Sequence, residues 1–183
     1  DSFDRRLSNN ETLSCAMCHI PEQGFTQNEL ATPVVHLGKG VRRNVPSLYN
    51  VAFTKDLFLD GRERSLEQQI WSPLLAENEM ANESRDAVLA KLALNPRYTA
   101  RFAETFDEGL TERTLGRALA SYQRALLSGD SPFDRWYFGG ERSTELGSDS
   151  EGYPALATQG FAIFQDKGCA SCHRINDASA LFT

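Results

Sequence analysis

The sequence predicts an all-α fold arranged as two units, and three observations carry that prediction. Apolar residues recur at helical spacing while strand signals are almost absent. Capping residues and prolines bracket the periodic segments. The pentapeptide Cys-x-x-Cys-His occurs twice, as Cys15-Ala16-Met17-Cys18-His19 near the start and as Cys169-Ala170-Ser171-Cys172-His173 near the end.

Taken in chain order, the first pentapeptide precedes any long helix. Ser65 to Gln68 reads as a capping box, which puts Gln69 in a rigid first turn, and Pro73 limits the helix that follows. Ser84 or Arg85 through Leu94 carries Val88, Leu89 and Leu92 on one face, and Asn95-Pro96 starts a further helix through Phe106. Thr111 to Ser128 is the strongest helix signal: Thr111 caps it, and Leu115, Leu119, Tyr122 and Leu126 form a stripe expected to be core. Gly139 to Pro154 turns to Gly, Ser and acid, the composition of a linker. Ala155 to Gln165 is helical again and leads into the second pentapeptide.

The pentapeptide has a specific chemistry. Two thiols one helical turn apart add to the two vinyl groups of a single haem, and the adjacent histidine is then held under the iron as its proximal ligand. Cys15, Cys18 and His19, and likewise Cys169, Cys172 and His173, read as attachment sites for two covalently bound haem c groups. They use all four cysteines and two of the three histidines, leaving no thiol for a disulfide and only His36 outside the motifs. A redox dithiol or a zinc site would account for the cysteines, but neither explains a histidine after the second cysteine in both copies.

The expected organisation is a first haem domain over 1–139, a linker over 140–153 and a second haem domain beginning at 154. The chain stops at Thr183, too soon after His173 to enclose a cofactor, so the second domain is expected to be incomplete and the chain to be part of a longer protein. A composition of 40% hydrophobic and 24% charged residues is ordinary for a packed fold. No apolar run approaches the roughly 20 residues of a membrane span. The net charge of -6 argues against nucleic acid and anionic membrane surfaces, and favours a basic redox partner. Covalent haem attachment takes place outside the cytoplasmic membrane, which points to the periplasm and to a signal peptide removed or lying upstream of Asp1.

Several segments together resemble the bacterial di-haem cytochrome c peroxidase family, which includes the MauG-type enzymes that oxidise protein tryptophans. They are FDRRLS before the first motif, GFT at Gly24 to Thr26, RRNVPSLYNVAF at Arg42 to Phe53 and LDGRERSLEQQ at Leu59 to Gln69. Also similar are PLLAENEM at Pro73 to Met80, ALASYQRALLSGDSPFDRW at Ala118 to Trp136 and QGFAIFQDKGCASCH at Gln159 to His173. The resemblance implies two cytochrome c-like domains. The N-terminal haem would be high-spin and react with hydrogen peroxide; the C-terminal haem would be low-spin and receive electrons from a small periplasmic cytochrome c or cupredoxin. It places the peroxidatic glutamine on Gln69, the glutamate on Glu79, a loop histidine able to ligate the peroxidatic iron on His36, and a calcium ligand on Asn44. It also implies a homodimer.

The residue types suit that chemistry. Splitting a peroxide heterolytically needs one group to take a proton from one oxygen and return it to the departing one, which a carboxylate such as Glu79 does. Gln69 does not titrate, so its implied role is to orient peroxide or water. On composition alone each residue has a plainer reading: Glu79 a solvated acid, Gln69 a helix-surface residue, His36 a surface histidine, and Asn44 a turn residue before Val-Pro. Trp71 and Trp136 read as packing residues.

One departure stands out. Many members place a tryptophan immediately before the DGR triplet, where this chain has Leu59, so an aromatic route between the haems at that position is absent. Met17 and Met80 match neither the methionine nor the tyrosine position expected beyond the second haem. The expected function is reduction of hydrogen peroxide to water. The alternatives are a MauG-like oxidation of protein tryptophans, and a non-enzymatic electron carrier with both irons held by strong protein ligands.

Overall fold

A computed structural model describes residues 3–30, 32–33, 38–139, 153–175 and 180–182, the last for their backbone alone. They fall into two compact units, Asp1–Leu127 and Ser128–Thr183.

The first unit begins with turns. Short 3₁₀ turns at Arg5–Leu7, Cys15–Met17, Pro21–Gln23 and Val51–Phe53 alternate with extended backbone, pinned by the isolated bridges Ile20–Thr26 and Leu57–Glu63. Five helices follow: α1 (Leu66–Gln69), α2 (Trp71–Leu75), α3 (Arg85–Ala93), α4 (Pro96–Thr105) and α5 (Glu112–Arg124). Local chemistry sets most of their starts. Ser84 accepts the Ala87 N–H at 3.1 Å, Asn95 accepts the Arg97 N–H at 3.0 Å with Pro96 at the first helical position, and Thr111 and Thr114 cap one another reciprocally. These helices close over a core that includes Trp71, Leu74, Met80, Val88, Leu92 and Leu115.

Two local expectations are corrected. The capping box at Ser65 does not form: its hydroxyl donates to Glu67 Oε2 at 2.9 Å, and Arg124 grips the same carboxylate at 2.6 and 3.1 Å. The Gln68 N–H bonds instead to the Ser65 carbonyl at 3.1 Å, while the hydroxyl turns to a carboxylate one residue nearer that an arginine already fixes. The stripe on α5 is also rotated. Leu115 is buried and Leu119 packs at the core margin, but Tyr122 is 37% exposed and the buried face runs through Thr114, Gly116, Ala120 and Gln123. Gly116 explains it: a Cβ there would stand 2.9 Å from the Glu67 carbonyl oxygen, so this glycine lets α1 lie directly on α5.

The second unit holds α6 (Pro132–Phe138), α7 (Ala155–Asp166) and a short antiparallel pair, β1 (His173–Ile175) and β2 (Ala180–Phe182), with His173 opposite Phe182. This pair is the one named sheet among the described residues. Ser131 and Asp134 cap α6 reciprocally. The units divide at Leu127, ahead of the boundary expected after Gly139, because α6 is bound to the second unit by its rings: Trp136 stacks on Tyr153 at 4.5 Å and meets Phe161 at 5.4 Å. Trp136 and Trp71 are both buried, as packing residues are. Most of the expected linker lies outside the described residues.

Candidate functional site

The first motif folds as a 3₁₀ turn. The Cys18 N–H donates to the Cys15 carbonyl at 3.2 Å and the His19 N–H to the same oxygen at 2.8 Å, which places both thiols and the imidazole around one turn. The second motif repeats it: the Cys172 N–H donates to the Cys169 carbonyl at 3.3 Å, and Cys172 has φ -103° and ψ -45° against -106° and -42° for Cys18. None of the four cysteines is joined in a disulfide among the described residues. Two unlinked dithiols in one shared backbone shape, each followed by histidine, fit covalent haem.

His19 is built for a metal. Its Nδ1 lies 3.0 Å from the Phe25 carbonyl oxygen. A carbonyl only accepts, so Nδ1 carries the proton and Nε2 keeps a lone pair with which it could hold a metal. Burial lowers the pKa of the ring and favours its neutral form, while the carbonyls of Phe25 and Pro46 work the other way. The loop after the motif makes this geometry. Gly24 and Phe25 take successive left-handed conformations, with φ 75° and 55°, and the Phe25 N–H donates back to Ile20 at 2.9 Å. A second loop holds the first in place. Ser47 Oγ donates to the Gly24 carbonyl at 2.6 Å, the Thr26 hydroxyl donates to the Val45 carbonyl, and the Phe25 ring meets Tyr49 edge-on at 5.3 Å. The GFT and NVPSLY segments thus act as supports for His19. Sequence reasoning assigned them no such role, since a backbone carbonyl leaves no trace in residue type.

Glu79 sits on the turn after α2, with its N–H donating to the Ala76 carbonyl at 2.9 Å. It is half-buried, and that burial raises its pKa above the ordinary carboxylate value, opposed by the charge of Arg62. Burial first, and the Glu79 carboxylate acting through space second, push the Cys18 thiol up. The Glu79 carboxylate is thus near enough to the first motif for its charge to act on Cys18. Cys15, deeper, is pushed up to about 11 by burial. Arg62 is a site residue that sequence reasoning missed: it pairs with Asp60 at 2.7 Å and lies 3.5 Å over the Phe58 ring.

The remaining candidates are placed less closely. Gln69 is half-buried at the end of α1, where α2 begins, and no side-chain hydrogen bond joins it to Glu79 among the described residues. Asn44 is exposed, and among the described residues no group of three or more His, Cys, Asp or Glu side chains gathers as a metal site. His36 lies outside the described residues. Cys169 and Cys172 are exposed, and His173 approaches the Phe164 ring at 6.3 Å. Leu59 is 65% exposed.

Known proteins are similar to this chain in sequence and in fold. The chain is 39% identical over 175 residues to the methylamine utilization protein MauG of Methylorubrum extorquens, covering 93% of this chain and 46% of that protein. It is 33% identical over 171 residues to the cytochrome c peroxidase Ccp of Escherichia coli, covering 93% of this chain and 34% of the relative. Its fold matches the crystal structure of the diheme peroxidase BthA from Burkholderia thailandensis with a TM-score of 0.75 at 28% identity, over 97% of this chain and 48% of that one. The chain thus spans about a third to a half of the length of these relatives. Residues 2–142 match the family model described as di-haem cytochrome c peroxidase. This chain belongs to the di-haem cytochrome c peroxidase family.

Proposed function

We propose that this chain carries the peroxide-reducing and the electron-receiving haem sites of a periplasmic peroxidase that reduces hydrogen peroxide to water. The observation that supports it most is the half-buried Glu79 beside the first attachment turn, where a carboxylate of raised pKa can trade a proton. When bound, the haem supplies the electron transfer that peroxide reduction needs. The chain's own residues do the rest. His19 offers Nε2 to the iron while Phe25 fixes its other nitrogen. Glu79 takes a proton from the peroxide and returns it to the departing oxygen as water forms. Gln69 orients peroxide through neutral hydrogen bonds.

His173 would hold the haem that receives electrons from a small periplasmic cytochrome c or cupredoxin, and His19 the haem to which they would be passed. His36 serves as a displaceable ligand of the first iron, Asn44 as a calcium ligand, and the protein works as a homodimer; the family resemblance supports these three assignments. Among the described residues no helix is long and apolar enough to cross a membrane.

Glu79→Gln is expected to keep both haems and slow the peroxide reaction by about two orders of magnitude in rapid mixing, the scale of a lost acid–base group. A wild-type rate in that variant overturns the assignment. Because burial raises the pKa of Glu79, the base form is lost as pH falls, and the rate should drop at a higher pH than a solvated glutamate would give. The 39% identity to a MauG protein favours a second reading, oxidation of protein tryptophans. In that case peroxide would be consumed without the small redox donor, with oxidised tryptophan appearing on a partner protein.

A further inference from the structure

We propose that Lys91, acting through Asn82, is a positioning residue for Glu79, locking the turn that carries the carboxylate onto the segment leading into the first attachment motif. This rests on the reading of Glu79 as the proton-handling group.

The turn shapes itself but does not place itself. The Met80 N–H donates to the Pro73 carbonyl at 3.1 Å, and Ala81, left-handed at φ 55°, donates its N–H to Ala76 at 3.0 Å. Those bonds stay within α2 and its own turn. Asn78 Nδ2 donates to the Gly40 carbonyl at 3.2 Å and Lys39 pairs with Glu77 on one side of the turn, and two further side chains tie it to the N-terminal segment. Asn82 is 4% exposed, and its Nδ2 donates to the Leu74 carbonyl at 2.8 Å and to the Leu7 carbonyl at 2.8 Å. One amide thereby bridges α2 and the N-terminal segment.

Lys91 reaches in from α3 and completes the clamp. Its Nζ donates to Asn82 Oδ1 at 3.1 Å, to the Ser8 carbonyl at 2.6 Å and to the Asn9 carbonyl at 3.2 Å. Three acceptors meet the three protons of one ammonium. The Asn9 N–H donates in turn to the Met80 carbonyl at 2.8 Å, so the residue after Glu79 is held directly. Ser8 carries the constraint forward: fully buried, it accepts the Leu13 N–H on its hydroxyl at 3.0 Å, just ahead of Cys15. Removing the ammonium takes a donor from the carbonyl of buried Ser8 and from Oδ1 of buried Asn82, and frees the turn to move relative to the attachment site. The charged or titratable groups acting on Glu79 are Cys18 and Arg62, and Glu11 acts on Lys91, so the lysine reaches Glu79 through placement rather than through its field.

A double-mutant cycle in the haem-loaded protein tests this, using Lys91→Met, Glu79→Gln and the two combined. Lys91→Met should slow the peroxide reaction about tenfold or more, and shift its acid limb toward that of a solvated glutamate. Added to Glu79→Gln it should cost nothing further, because the group it positions is gone. Hydrogen exchange read by mass spectrometry should quicken at the Met80 and Ala81 amides, and Lys91→Arg should restore part of the rate. Additive losses in the double variant, or unchanged exchange across 79–82 in Lys91→Met, would overturn the positioning role while leaving Glu79 as the base. A wild-type rate in Glu79→Gln would instead overturn the catalytic reading, and the positioning role with it. Should Lys91→Met lose its far-ultraviolet circular dichroism, Lys91→Gln, which keeps donors without the charge, runs the same cycle.

Discussion

Asp4 shows how much one side chain near the N-terminus contributes. The Arg6 guanidinium donates to its carboxylate at 2.9 and 2.7 Å and the Tyr98 hydroxyl donates as well, which holds Asp4 down at about 2. Burial first, and this carboxylate second, push the Tyr98 hydroxyl up to about 12. A depressed carboxylate stabilises the fold above its unfolded value of 3.8 and loses that contribution as pH falls toward 2. Asp4→Asn is therefore expected to cost on the order of 2 kcal/mol at neutral pH. In urea unfolding the gap to wild type should close between about pH 4 and pH 2; a constant gap would mean the ion pair is not its source. At this scale the sequence displays the candidate ligands His19 and His173 but hides the support of the first. Phe25 serves His19 through a backbone oxygen, and Lys91 meets Asn82 only once α3 has packed.

Helix starts were legible because their determinants lie within one turn. Ser84, Asn95 and Thr111 each cap the helix that their own sequence announces. Ser65 was misread because Arg124, far along the chain, fixes the Glu67 carboxylate that captures its hydroxyl. The buried face of α5 was misread for the same reason: periodicity identifies an apolar stripe, but the contact with α1 depends on Gly116 meeting Glu67. Gly116→Ala is expected to push α1 from α5 and destabilise the first unit by about 1 to 3 kcal/mol, the cost of overpacking. Thermal unfolding with no shift in midpoint would mean that α1 yields freely.

At the scale of the molecule, two units each carry one attachment turn of the same backbone shape. Replacing Cys15 and Cys18 together with alanine is expected to leave one haem on the protein, and replacing Cys169 and Cys172 as well to leave none. Intact-protein mass spectrometry counts them directly, and retention of two haems after the first replacement would refute attachment at the N-terminal turn. The sequence by itself displayed the paired haem motifs, the family resemblance and the starts of α3, α4, α5 and α7, because thiol spacing, caps and apolar periodicity act over a few residues. Only the tertiary structure decided that Glu79 stands by the first motif, that Lys91 clamps its turn, and that α6 joins the second unit. Those depend on packing between segments far apart in the chain, where burial and hydrogen-bond geometry rather than residue order select the partner.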